Sequence, residues 1–550
     1  MQDPEKAVAE VELKNGTSDA SSEEEEINWA IYHEEHAGRL VVDPQEAKIE
    51  FGEERASKLK LTPDGTKVLW PQPADSPKDP QNWSNRRKAL HLFVITLAAI
   101  VPDFDSGIGI ASLFALAKEF NTTTGVINNV TSKYVPTSLI ITVTEKVPYS
   151  AGSFVRLGPG GVFAVWIINR YGRLPVLFWS QVFALGFLIG CTFAPNLSTF
   201  AAMRCLTALF GTAPQISGLY VVTDLYPFHL QARMLNIWTM GFIISPFLSP
   251  FAFGFLVARA NWRWSYGIGS MYGAVVCILI ALFMEETMYD RKRKDLPEPG
   301  SGLRYRLETL TGITGARLAK YRVTWFESIS TTFRVVWRPH LLGILLFEGV
   351  LFGFGIGINV TMAVFLGSPP PLGFGWSEFA IAGGYGTPIV AVIVGELIGR
   401  FVNDWIMNTS IKRNKGVFEA ENRLWATYIA LALYICGFVL IGAALQKHLN
   451  TAALIFGWGI AETAIMVATV AIYAYCNDCF PGQQGEISAL INLARTLGGF
   501  SVAYFQVPWA EKHGALQTFG CEAAIVVGLF FLIVPSLQVF GARLRTRFSL

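Results

Sequence analysis

Charge is the scarcest property of this chain. Only 16% of its 550 residues are Asp, Glu, Lys or Arg, where a soluble domain carries roughly a quarter, and 52% are hydrophobic. So few charges exclude an ordinary water-facing surface. Further scarcities narrow the chemistry. The chain has seven His, no phosphate-cradling P-loop, no Gly-x-Ser-x-Gly elbow and no metal-spaced His/Cys set. That argues against an ATP-driven pump, a hydrolase, a bound metal or another cofactor, and no catalytic residue is expected. Cys476 and Cys479 form a lone CxxC with no second pair to complete a metal site, so they are expected to pack. A formal net charge of +2 gives no ground for a nucleic-acid partner.

What is present is a series of apolar runs of about 20 residues, the length of helix that crosses a ~30 Å hydrocarbon layer. They fall at about 89–116, 176–194, 199–223, 232–257 and 265–284, then at 340–366, 380–403, 424–446, 450–475, 485–508 and 516–541. One more span lies between the first two and is irregular. Its run 157–168 holds about 12 residues, too few to cross, and follows a stretch, 133–153, that contains Glu145, Lys146 and two prolines. Skipping 133–153 joins 125–132 to 154–168 as 23 residues, one ordinary span. The stretch therefore reads as an insertion in span 2, either a real excursion or a retained intron.

The total is twelve spans, six plus six: an all-α membrane protein. The expected layout is a disordered tail over 1–87, rich in acid at SSEEEE and without a cleavable signal peptide, then a six-helix bundle over 88–284. A central loop over 285–338, a second bundle over 339–542 and a short end over 543–550 follow. Lysine and arginine set the orientation. The central loop carries RKRK at 291–294 with Arg304, Arg306, Arg317, Lys320 and Arg322, and the loop after span 8 carries Lys412, Arg413, Lys415 and Arg423. The loops 195–200 and 367–378 have neither residue. Both termini are thus expected in the cytosol.

Between spans 2 and 3 the chain reads NRYGR. Gly172 permits a sharp turn, and Arg170 and Arg173 hold the hinge on the basic side. With Asn169, these residues resemble the end of the loop motif of the major facilitator superfamily. LWPQPADSPKDPQNWS at 69–84, NWRW at 261–264, EETMY at 285–289 and GEISALINLARTLGGF at 485–500 are similar, more narrowly, to its fungal drug:proton antiporter branch. The resemblance covers about 65–541 and implies two pseudo-symmetric six-helix bundles around a central cavity. It also implies that the hinge latches the bundles on the cytosolic side. The family's acid is replaced by Asn169 and its leading Gly by Val165, which implies a weaker first latch. The second half echoes the motif as GRFVNDW, with Asp404 in the acidic place. In span 5 the antiporter glycines become Ser245 and Ser249 in SPFLSP, while Pro246 and Pro250 remain.

Ionisable residues inside spans mark function, because each costs at least ~2.5–3.5 kcal/mol at a helix centre unless it meets a cavity or partner. Asp103 and Asp105 lie two apart in span 1, about 200° around a helix, so one can face the cavity while the other packs between helices. Glu348, Glu396, Glu462, Arg204 and Arg495 complete the candidates for substrate or proton coupling, with Arg495 expected to balance a carboxylate such as Glu462. By resemblance, Arg204 takes the place of an arginine tied to proton coupling. Asp224 and Asp478 end spans 4 and 10 and suit gate or capping contacts with Arg233 or neighbouring loops.

The reading is a monomeric secondary transporter in the plasma or vacuolar membrane, moving a small organic molecule, cations included, with protons. Export leads; proton-coupled uptake and a transporter-like nutrient sensor stay open.

Overall fold

The computed structural model describes residues 28–122, 127, 157–292, 300, 302–370 and 373–548. Twelve helices among them match the twelve spans. In the first half these are α1 Asn85–Ala111, α2 Leu157–Tyr171, α3 Arg173–Thr192, α4 Leu197–Leu225, α5 Phe228–Val257 and α6 Arg263–Phe283. The second half has α7 Pro339–Gly367, α8 Glu378–Arg413, α9 Ala420–Gln446, α10 Thr451–Cys479, α11 Gln484–His513 and α12 Ala515–Arg547. Ten are long and apolar enough to cross a membrane. The other two are α2, described over 15 residues, and α11, whose apolar character is diluted by Glu486, Asn492 and Arg495. The segment 133–153 lies outside the described residues.

Local sequence explains where the helices start and break. Ser84 caps α1 through the N–H of Arg87, and α4 is interrupted at Thr212 before Pro214, whose missing N–H is harmless only in a first helical turn. Packing repeats between halves: α1 lies on α5 as α7 lies on α11, and α3 on α4 as α9 on α10. The bundles meet along α5 with α8 and α2 with α11, pairs related by the same correspondence. The crossing of α7 and α11 is so close that a Cβ on Gly498 would fall onto the Gly349 carbonyl, the use small residues have where apolar packing alone gives little drive.

Among its described residues the central loop forms α-helices at Leu303–Leu310, Ile313–Leu318 and Trp325–Val336, with a 3-10 turn at Ala319–Tyr321. Both described chain ends meet it or each other: Asn28 donates to the Lys292 carbonyl and Arg545 to that of Ala37. Loop and chain ends therefore share one side of the molecule, called here the linker side.

The expectation of a disordered tail over 1–87 is corrected for 28–84. A helix Trp29–Glu35 leads into β1, Arg39–Val41, which pairs antiparallel with β2, Val417–Glu419, in the α8–α9 loop. Trp70, almost fully buried, donates its indole N–H to the Val41 carbonyl at 2.7 Å and shares a cluster with Phe228, Met407 and Phe418. The acidic stretch does not decide the segment's state because its aromatic and aliphatic anchors find apolar surface on both bundles. SSEEEE itself lies outside the described residues. At the other end, 543–547 continue α12 rather than forming a tail, held by Arg545 bonded to both oxygens of Glu421 at 2.8 and 2.7 Å.

Candidate transport site

Midway along the helices a run of polar groups crosses between bundles. Gln215 of α4 donates to Asp103 Oδ2 of α1 at 2.7 Å, and its own Oε1 accepts from Asn492 of α11 at 3.0 Å. Ser488 of α11 donates to the Gln215 carbonyl at 2.9 Å. One turn from Asn492, Arg495 places its guanidinium over the Phe352 ring at 3.5 Å and 4.8 Å from that of Phe242, a desolvated cation–π setting. It acts electrostatically on Asp103 and on Glu348 of α7. Glu348 accepts from Thr469 of α10 at 2.9 Å. The expected pairing of Arg495 with Glu462 is corrected: Glu462 instead accepts from Trp458 at 3.3 Å on its own helix, because its position four residues from Trp458 turns it along α10.

The two acids of α1 diverge as their spacing requires. Asp103 faces α4 and α11, whereas Asp105 is buried toward α4 and α6. Arg204 donates to the backbone carbonyls of Asp105 and Ser106 at 2.7 and 3.3 Å and stands 5.8 Å from the Tyr266 ring. Next to them, Gly107 meets the SPFLSP stretch of α5. A Cβ there would lie 2.8 Å from Ser249, 3.0 Å from the Pro246 carbonyl and 3.1 Å from Pro250. Ser245 returns its hydroxyl to Phe242 at 2.8 Å. Glu396, buried in α8, presents its carbonyl to Asn236 of α5 at 3.1 Å.

On the linker side two pseudo-equivalent contacts join the bundles, beside a buried hydrogen bond from Asn477 of α10 to Gln231 of α5 at 3.1 Å. Arg233 of α5 pairs with Asp404 of α8 at 2.7 Å. At the pseudo-equivalent place, Asn169 of α2 donates to Glu486 of α11 at 2.8 Å and to Ser328 of the loop helix at 3.1 Å, and accepts from Tyr220 of α4 at 2.8 Å. Each bundle also has an internal ion pair: Arg173 with Asp224, and Arg423 with Asp478 at 2.9 Å, the latter almost fully buried. Arg233 thus serves Asp404, and the acids ending α4 and α10 take arginines at the starts of α3 and α9. Gly172, at φ +101, turns the chain where a Cβ would strike the Glu286 carboxylate; that carboxylate accepts the N–H groups of Arg173 and Leu174. Arg170 reaches outward to the Val323 carbonyl and Trp325.

Two six-helix halves are joined by pseudo-equivalent contacts, and sequence comparison agrees with that architecture. The profile of the Major Facilitator Superfamily matches residues 95–503. The chain belongs to this superfamily. Similar curated proteins include Efflux pump radE of Floropilus chiversii, 25% identical over 87% of this chain and 85% of that protein. Another is MFS-type transporter penM of Penicillium rubens, 23% identical over 87% and 89%. Among solved structures, the proton:xylose symporter XylE overlays with a TM-score of 0.56 at 12% identity, covering 82% of this chain and 97% of its own. The human organic anion transporter MFSD10 gives 0.52 at 14% identity, covering 81% and 99%. This facilitator is a multi-pass membrane transporter.

Sequence reasoning missed several polar residues of its interior. Gln215, Asn492 and Glu486 join the bundles, and Glu522 of α12, fully buried, accepts both bonds of the Gln506 amide at 3.0 Å. A scan for charge alone passes over amides, and Glu522 lies near a span end where an acid looks tolerable.

Proposed function

We propose that this facilitator exports small amphipathic organic molecules, cations included, in exchange for protons. The observation that carries the reading is a buried charge imbalance. Inward of their end turns and away from the paired linker side, the described spans hold the carboxyls of Asp103, Asp105, Glu348, Glu396, Glu462 and Glu522, buried or half-buried, against the guanidinium groups of Arg204, Arg400 and Arg495. Six acids and three cations leave three negative charges in excess, a state a membrane interior does not sustain. The excess is met by protons or by a cationic substrate, and exchanging one for the other is antiport.

Asp103 is the coupling acid in this scheme. It shares Gln215 with Asn492 of the opposite bundle, so separating α4 from α11 breaks the relay and changes the setting of the acid. Protonation and substrate then bias one inward–outward equilibrium, which is sufficient for coupling. The lysines and arginines of the linker side support a cytosolic position for it, and the reading puts the transporter in the plasma membrane, with the vacuolar membrane as the alternative. The relative named an efflux pump supports the outward direction. In liposomes loaded with rhodamine 6G under an imposed pH gradient, Asp103→Asn is expected to lose the gradient-driven flux while still binding dye. Unchanged gradient-driven flux would remove Asp103 from the mechanism.

A further inference from the structure

The loop between the bundles leaves its largest apolar side chains uncovered. In the helix Trp325–Val336, Ser328 and Thr332 point inward, the first accepting from Asn169 and the second from Trp166 of α2, each at 3.1 Å. On the other side Phe326 is 83% exposed and Phe333 60%, and Trp337 just beyond is 75% exposed. Leu303 and Leu307, one turn apart on the first loop helix, are exposed as well. These residues, the rim, lie between the end of α6 at Phe283 and the start of α7 at Pro339, next to span residues Leu282 and Leu342 that are themselves exposed. Apolar side chains on a loop helix at the mouth of a span match an interfacial helix lying in the headgroup boundary.

Leu303 also lines a cavity of about 850 Å³ between the loop, the Glu285–Tyr289 stretch and the start of α1. Six lysines and arginines line it against three glutamates. Those glutamates are engaged: Glu285 by Arg87, Glu308 by Arg304 and Arg317, and Glu286 by backbone N–H groups. Lys320 makes a ring contact with Tyr321 at 4.7 Å and no ion pair among the described residues, and Arg322 donates to the Arg170 carbonyl at 3.3 Å. Basic groups in excess thus line a cavity that opens beside the exposed Leu303.

We propose that the rim and cavity bind an anionic phospholipid of the adjoining leaflet, its acyl chains along Leu303, Phe326 and Phe333 and its phosphate at Lys320 and Arg322. A free phosphate would satisfy the cations but leave the rim uncovered. The helix that holds the lipid also holds Asn169 through Ser328, so occupancy stabilises the joined linker side.

The test uses the full-length protein in nanodiscs of phosphatidylcholine with a minority of phosphatidylserine. Benzoylphenylalanine at position 333 is expected to crosslink to lipid, and the wild type is expected to retain phosphatidylserine in native mass spectra after transfer to neutral detergent. In K320Q/R322Q retention should fall roughly 25-fold, since each basic residue near an anionic surface contributes about fivefold. Equal retention in the variant, or crosslinks to protein only, would overturn the proposal. So would displacement of the lipid by millimolar inorganic phosphate, which would mark a small-anion site. If K320Q/R322Q melts early in neutral detergent, L303Q/F333Q serves instead, with the same loss expected and unchanged retention counting against the site.

Discussion

At Asn169 and Glu486 the bundles meet through an amide and a carboxylate, while at the pseudo-equivalent Asp404 and Arg233 they meet through an ion pair. The acid has moved from the hinge to the start of α11, so an asparagine at 169 is the complement of Glu486 rather than a lost latch. Restoring the family's acid should therefore harm this protein. Asn169→Asp sets two carboxyls at hydrogen-bond distance and leaves Tyr220 and Ser328 with altered partners, at a cost on the order of 1–3 kcal/mol to the joined state. Crosslinking of cysteines placed across α2 and α11 should drop in Asn169→Asp and recover in Asn169→Asp with Glu486→Gln. Failure of the second change to restore crosslinking would dissociate the two residues.

The segment 28–84 acts as one element, strapped over both bundles by β1 on β2 and by the Trp70 cluster. Its pH dependence follows from His33, whose ring stacks on Trp70 at 5.7 Å. Burial, and then nearby Arg291, pulls the His33 pKa from 6.5 down to about 4. A folded-state pKa below the unfolded value means the docked segment excludes a proton that the released segment binds. Docking is then fully stable above about pH 6.5 and weakens as pH falls toward 4. Amide hydrogen exchange over 28–84 should quicken between pH 7.5 and 5, relative to the spanning helices, and His33→Gln should flatten that response. Exchange with the same pH response in the variant would exclude His33 as the cause.

For the whole molecule the decisive quantity is sidedness. The loop and both described chain ends share one side, so a single labelling experiment orients everything. Tags within 195–200 and 368–370 should be reached by antibody on intact cells, and a tag within 303–318 only after permeabilisation. The opposite labelling would invert the proposed direction of transport. The joined state also depends on sidedness-independent pairs: Arg233→Glu should favour opening of the linker side and Arg233→Glu with Asp404→Arg should close it again, read by cysteine accessibility of α5 and α8.

Twelve spans in two halves were legible in the sequence because lipid demands long apolar runs with internally satisfied backbones, a requirement each run meets or fails by itself. The divergence of Asp103 and Asp105 was legible for the same reason, since helical pitch is local. Partners were not. Arg495 serves Asp103 and Glu348 rather than Glu462, and Asn169 answers Glu486 more than 300 residues away. The order of residues 28–84 likewise depends on surfaces supplied by Phe228 and Phe418. Hydrophobic periodicity is written along one helix, whereas a hydrogen bond between bundles needs two helices at a distance and rotation that only their packing sets.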